Sequence, residues 1–119
     1  MPNTNKRTHF DKPYYQRYYL NSQTRSVSES DVQGIVDFVL AYARRLDITL
    51  RTAIDFGCGV GYWQTCLRRR LKKTQYMGIE ESAFAVRKYG WTRGSVTNFA
   101  SGATHDLVIC QSVLQYLNA

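Results

Sequence analysis

The stretch AIDFGCGVGYW, Ala53 to Trp63, constrains this chain more than any other, because a short apolar run meets an acid and then three glycines spaced two apart. Thr52 to Phe56 has the composition of a short buried strand flanked by polar residues. The glycines mark a sharp turn behind it. Trp63, Cys66, Leu67 and Leu71 then fall at i, i+3, i+4 and i+8, the buried stripe of a helix. Without a β-carbon, Gly57 and Gly59 permit backbone angles and contact distances that other residues forbid, so a ligand can rest directly on peptide N–H groups. Gly61 lets the following helix start close to the strand.

The flanking sequence repeats this alternation. Ser30 and Gln33 form an S-x-x-Q capping pattern, and Val32, Ile35, Val36, Val39, Leu40 and Ala43 follow at helical spacing, which predicts an amphipathic helix over about Asp31 to Leu46. QYMGIE, Gln75 to Glu80, reads as a second strand, and Ser82 caps a short helix that Gly90 ends. A brief extended piece around Trp91 to Arg93 comes next, then a polar loop from Ser95 to His105 and the apolar strand DLVIC. Val113, Leu114 and Leu117 suggest a last helical turn or two. Strands alternating with helices imply an α/β fold with a parallel sheet covered on both faces. The expected organisation is a tyrosine-rich arm and linker over 1–27, then one domain over 28–119.

In an open parallel sheet, ligands bind beyond the carboxyl ends of the strands. The glycines sit at such an end, and Glu80 ends the next strand, where its carboxylate can accept hydrogen bonds from both hydroxyls of a ribose. Loop plus acid implies an adenosine-containing ligand. The dinucleotide pattern G-x-G-x-x-G/A needs a small residue at position 62, and this chain has Tyr62. Asp55, just ahead of the glycines, would repel a pyrophosphate and favour a cation. A ligand bearing an ammonium and a sulfonium suits that charge better.

DFGCGVG, MGIEES and DLVICQSVLQYL, in that order, resemble the successive signatures of class I S-adenosylmethionine-dependent methyltransferases, over roughly Val32 to Leu117. The resemblance implies a Rossmann-like three-layer α/β/α fold and S-adenosyl-L-methionine as cofactor. It implies that Asp55, Gly57, Cys58 and Gly59 line the methionine part of the cofactor and that Glu80 holds the ribose hydroxyls. It sets Glu81 and Ser82 beside the adenosine, and Gln111 facing the sulfonium. Many members of the family have an acid after the third-strand glycine that reads the adenine amino group; here Ser95 follows Gly94, and Ser95 or Asn98 is the substitute. The family's sheet has seven strands and this sequence carries four, so the expectation is a cofactor-binding half, a trimmed piece or a natural fragment. The methyl acceptor is expected to be a small molecule that the sequence does not identify. Strand 106–110, with an unpaired edge, is expected to support homo-oligomers.

Lys and Arg number 16 against 9 Asp and Glu, a formal net charge of +7, which attracts anionic partners. The cluster RRRLKK, Arg68 to Lys73, reads as a solvated helix face near a helix C-terminus, with nucleic-acid contact as the minority alternative. A noncatalytic oligomeric module retaining the fold is a third reading. Cys58, Cys66 and Cys110 form no CxxC pair and no disulfide framework, which points to a reducing, cytoplasmic setting; Cys58 reads as loop packing, not a nucleophile. No metal site follows from the Cys and His spacings. No apolar run is long enough to span a bilayer, and the polar N-terminus has no signal-like core. No catalytic base is assigned. His105, before Asp106, reads as a loop or capping residue. The arm FDKPYYQRYYL places Tyr14, Tyr15, Tyr18 and Tyr19 on one broad helical face, with core packing, a lid over the cofactor and base stacking all open.

Overall fold

In a computed structural model of the chain, residues 10–25, 27–100 and 102–111 are described. The helical turn expected around Val113 to Leu117 lies outside the described residues. The elements are α1 (Lys12–Tyr15), continued by a π-helical turn (Gln16–Leu20), then α2 (Glu29–Arg45), β1 (Thr52–Phe56), α3 (Tyr62–Arg70), β2 (Gln75–Glu80), α4 (Ala83–Tyr89), β3 (Thr92–Arg93) and β4 (Leu107–Ile109). All four strands are parallel, in the order β3-β2-β1-β4. This is an α/β fold whose topology matches the first four strands of a Rossmann-like sheet.

Helix α2 begins earlier than its expected cap. Ser28, not Ser30, is the N-cap, and Asp31, not Gln33, completes the capping box. The Ser28 hydroxyl accepts the Asp31 N–H at 3.2 Å, and an Asp31 carboxylate oxygen accepts the Ser28 N–H at 3.1 Å. A carboxylate is the stronger acceptor and favours the positive end of a helix, so this pairing wins over Ser30 with Gln33. Gln33 instead donates to Asp37 one turn on.

Parallel register sets which side chains share a face. Ala53 lies opposite Tyr76 and Leu107, and Asp55 opposite Gly78 and Ile109. Ala53, Tyr76, Leu107 and Ile109 pack with Val32, Val36, Leu40 and Ala43 of α2 and with Trp63, Cys66 and Leu67 of α3. That apolar seam is the core. The right-handed rule for parallel crossovers puts α4, between β2 and β3, on the same face as α3, between β1 and β2. The other face carries Ile54, Phe56, Met77, Ile79 and Val108 by strand alternation. Phe99, from the loop after β3, reaches back to it, its ring edge-on to Phe56 at 6.1 Å.

Two further contacts fix the two ends of the sheet. At the amino ends of the strands, Asp106 accepts the N–H groups of Arg51 at 2.8 Å and Thr52 at 3.1 Å, clipping β4 to β1. At the carboxyl ends, Trp91 lies across the loop and donates its indole N–H to the Gly59 carbonyl at 2.8 Å. Its ring presses on two glycines: a β-carbon at Gly61 would stand 2.6 Å from Trp91 Cζ2, and one at Gly78 would stand 2.6 Å from Trp91 Cε3 and 2.9 Å from Cys58 Sγ. Gly61 also has φ of 80°, as N-cap of α3. Its close packing is therefore against an indole as well as between helix and strand.

Gly78→Ala should lower stability by about 1–3 kcal/mol through overpacking, whereas Gly34→Ala, in the interior of α2 with nothing within 4 Å of its β-carbon position, should raise it by about 0.5–1 kcal/mol. Urea unfolding of both variants checks the contrast.

Candidate functional site

The candidate residues converge where β1 and β2 end. Glu80, the last residue of β2, turns its carboxylate across to the glycine loop. One oxygen accepts the Gly59 N–H at 3.0 Å; the other accepts the N–H groups of Glu81 at 2.7 Å and Ser82 at 3.0 Å. Glu80 as a whole is 6 % exposed. Loop and strand end are thus joined by a charged group held in backbone amides, each bond stronger than its neutral counterpart.

The other loop amides also have partners. The N–H groups of Gly57 and Cys58 both point to the Ile79 carbonyl, at 2.8 Å and 3.3 Å, and the Gly61 N–H donates to the Cys58 carbonyl at 2.9 Å. The loop continues the β1–β2 ladder and then closes a turn on itself. A ligand would meet the open side of this turn, and backbone N–H groups at Gly57, Cys58, Gly59 and Gly61 are already committed.

Asp55 sits one residue inside the end of β1 and is 2 % exposed. The Tyr76 hydroxyl donates to it at 2.5 Å. Burial pushes its carboxyl up to about 7, the Tyr76 hydrogen bond opposes that rise, and the nearby Glu80 charge adds to it. Burial, with the charges of Asp55 and Glu80, also raises the Cys58 thiol well above its ordinary value, which keeps it protonated and a poor nucleophile. Two carboxyl groups are therefore buried on one face of adjacent strands, near their carboxyl ends. Among the described residues the ion pairs are Arg69 with Glu29 and Arg70 with Asp37, and neither involves Asp55 or Glu80.

The remaining candidates, Ser82, Glu81, Ser95 and Gln111, have separate settings. Ser82 caps α4, its hydroxyl accepting the Ala85 N–H at 3.2 Å and donating to the Phe10 carbonyl of the arm. Glu81 is exposed and contributes only its N–H to the Glu80 cluster. Ser95 is buried after β3, its hydroxyl paired with that of Thr97 at 2.6 Å and its N–H donated to Asn98 at 2.9 Å, so both polar groups serve their own turn. Gln111 lies past β4, where its side-chain oxygen accepts the Trp63 indole N–H at 2.7 Å. It borders an open groove of about 260 Å³ lined by Ile35, Val39, Trp63 and the end of β4, distinct from the Glu80 cluster.

His105 precedes β4, at the opposite end of the strands from the glycine loop, and the capping role there falls to Asp106. The basic cluster is partly neutralised: Arg69 reaches Glu29 at 2.8 Å and Arg70 grips Asp37 at 2.9 and 3.1 Å, joining α3 to α2. Two residues of this region, Tyr76 and Trp91, escaped sequence reasoning, and Tyr15 is singled out there only as one tyrosine of an arm with core packing, a lid and base stacking all open. Tyr76 was visible only as a strand residue, although period-two alternation puts it on the same face as Gly78 and Glu80. Trp91 reaches the loop from beyond Gly90, and Tyr15 from 65 positions before Glu80 in the chain. Neither approach leaves a local pattern.

Comparison with protein families, with curated proteins and with solved structures finds no match for this chain. Among the described residues no helix is long and apolar enough to cross a membrane.

The raised Asp55 value has a definite consequence for stability. Between its ordinary unfolded value near pH 4 and about pH 7, the folded chain holds a proton that the unfolded chain has released. Stability from this group should therefore fall as pH rises through that window, by up to about 1.4 kcal/mol per unit, and level off above it. Asp55→Asn should abolish the fall and be more stable than the parent chain at pH 8, as read by urea unfolding at several pH values.

Proposed function

We propose that this chain is the cofactor-binding portion of an S-adenosylmethionine-dependent methyltransferase acting on a small-molecule acceptor. The observation that carries the reading is the pair of buried carboxylates, Asp55 and Glu80, at the carboxyl ends of adjacent parallel strands, with no ion-pair partner for either among the described residues. Burying two like charges together is costly unless a cation or hydrogen-bond donors compensate. Backbone amides already serve Glu80 and the Tyr76 hydroxyl serves Asp55, so what is absent among the described residues is a cation, which a ligand bearing an ammonium beside its ribose would supply. Glu80 would hold a ribose hydroxyl, and Asp55 would face the positive end. Bound there, S-adenosylmethionine supplies a methyl group activated on a sulfonium, and the protein's share of the work is to hold acceptor, methyl carbon and leaving sulfur in line.

The positive charge supports this reading better than the nucleic-acid alternative. Arg69 and Arg70 are spent on α2, which leaves Arg68, Lys72 and Lys73 as the uncommitted part of that run. The reduced cysteines, Cys58, Cys66 and Cys110, are compatible with a cytoplasmic setting.

Self-association is favoured by a separate observation. Among the described residues β4 pairs only with β1, and α2 carries an exposed apolar line of Ile35, Phe38 and Tyr42, Phe38 being 73 % exposed and Val108 of β4 61 %. An open edge flanked by apolar surface is a pairing site for another strand. Light scattering across a range of protein concentrations should show a mass rising above one chain, and Val108→Lys should shift it back toward the monomer.

Calorimetric titration with S-adenosylhomocysteine, which keeps the ribose and ammonium, tests the site itself. Binding should strengthen up to about tenfold per pH unit as pH rises toward 7, because the ligand's ammonium favours ionised Asp55, and should then level off. Glu80→Gln should weaken it by about 1–3 kcal/mol. A folded chain with no affinity at any pH overturns the assignment.

A further inference from the structure

The arm from Phe10 to Leu20 lies on the candidate site itself. Tyr15 is 2 % exposed. Its ring rests on the glycine loop, with Cε1 3.7 Å from where a Gly59 β-carbon would stand, and its face lies near Phe84 of α4, centroids 5.6 Å apart. Its hydroxyl points at the Glu80 oxygen that also accepts the Gly59 N–H, at 3.5 Å. The arm is pinned on either side: the Ser82 hydroxyl donates to the Phe10 carbonyl, and the Tyr62 hydroxyl donates to the Tyr19 carbonyl at 3.2 Å. Ser82 and Glu80, two of the candidate ligand residues, are thus also the arm's anchors.

Counting acceptor sites on Glu80 sharpens what this means. An ionised carboxylate offers about four lone-pair directions. Gly59, Glu81 and Ser82 amides occupy three. The Tyr15 hydroxyl faces the remaining one, so a ligand hydroxyl and Tyr15 compete for a single position. The competition is winnable for a ligand, because 3.5 Å is the long limit of a hydrogen bond and adds little. The arm also has little stability of its own. Its helical part is the four residues of α1 and the five of the π turn, well under the roughly 12 residues at which an isolated helix becomes marginal. A π turn is a rare helical geometry, found frequently at functional sites. Released from its anchors, the arm would lose its helical order.

We propose that the arm is a displaceable plug: Tyr15 stands in for the hydroxyl-bearing part of an adenosyl ligand, and binding at Glu80 expels it. The inference rests on the adenosyl reading of the site. Free chain is then mostly closed, and its apparent affinity is reduced by the fraction open.

The test uses the full chain, with S-adenosylhomocysteine as probe. Tyr15→Ala should bind it about tenfold more tightly than the parent chain, since the closed state loses its competitor. In the parent chain, which needs no variant, saturating probe should speed hydrogen exchange of the arm amides over residues 12–20. Equal affinity in the two proteins, with the variant shown folded by circular dichroism, or arm amides that slow on binding, overturns the plug and leaves the site standing. No binding by either folded protein removes the adenosyl site and the plug together.

Discussion

The geometry near the candidate site depends on one buried anion. Glu80 leaves the end of β2 and gathers the amides of Gly59, Glu81 and Ser82, so a single carboxylate sets the position of the glycine loop, the turn into α4 and the start of that helix. A neutral side chain could not satisfy three converging donors in a space this dry, and an unpaired amide there would cost as much as the bond it lost. The charge is tolerated because it is solvated by backbone dipoles instead of water. It is also what makes this corner of the molecule selective, since a carboxylate so held presents its remaining acceptor direction in a fixed orientation.

Around that anion the protein has packed its own aromatic side chains where a nucleoside reading would put a ligand. Trp91 fills the space over Gly61 and Gly78, and Tyr15 fills the space over Gly59. The Trp91 ring has Tyr76 at its edge, at 5.9 Å, and stacks on Tyr89 at 6.1 Å, so the wall is continuous from β2 to the end of α4. The two contacts differ in permanence. Trp91 is anchored by its indole bond to the loop and by packing against the sheet, whereas Tyr15 comes from a short helical arm whose order depends on what it touches.

Charge is divided in the same economical way. The basic residues of α3 nearest α2 are paired across the helix interface with Glu29 and Asp37, exposed pairs that orient two helices more than they stabilise them. The acids at the sheet's carboxyl edge are left without such partners among the described residues. In a chain with formal net charge +7, the two buried acids, Asp55 and Glu80, thus both lie at the end of the sheet where parallel α/β folds bind ligands.

The strands were legible in the sequence because their evidence is local. Thr52–Phe56 and Gln75–Glu80 are bounded by turn residues and have the apolar content of buried strands, and the residues of α3 recur at helical spacing. Ser82 as a cap and Gly90 as a stop, the latter with φ of 75°, follow from side-chain chemistry and backbone sterics alone. The two-residue slip at the start of α2 arose where two capping pairs overlap and a hydrogen bond to a charge decides between them.

The sequence by itself determined the order of elements, the parallel α/β class and the placing of Asp55, the glycines and Glu80 at strand ends, since each depends on neighbours within a few residues. Tertiary structure alone decided what those groups touch. Glu80 faces Tyr15, Asp55 faces Tyr76, Gln111 turns to Trp63, and Ser95 closes on Thr97. The first three pairs join residues far apart in the chain, brought together by the burial of a shared apolar seam, and such contacts have no periodicity to read. AIDFGCGVGYW announced close approach to its glycines. That an indole and a tyrosine of the same chain make that approach was a matter of packing.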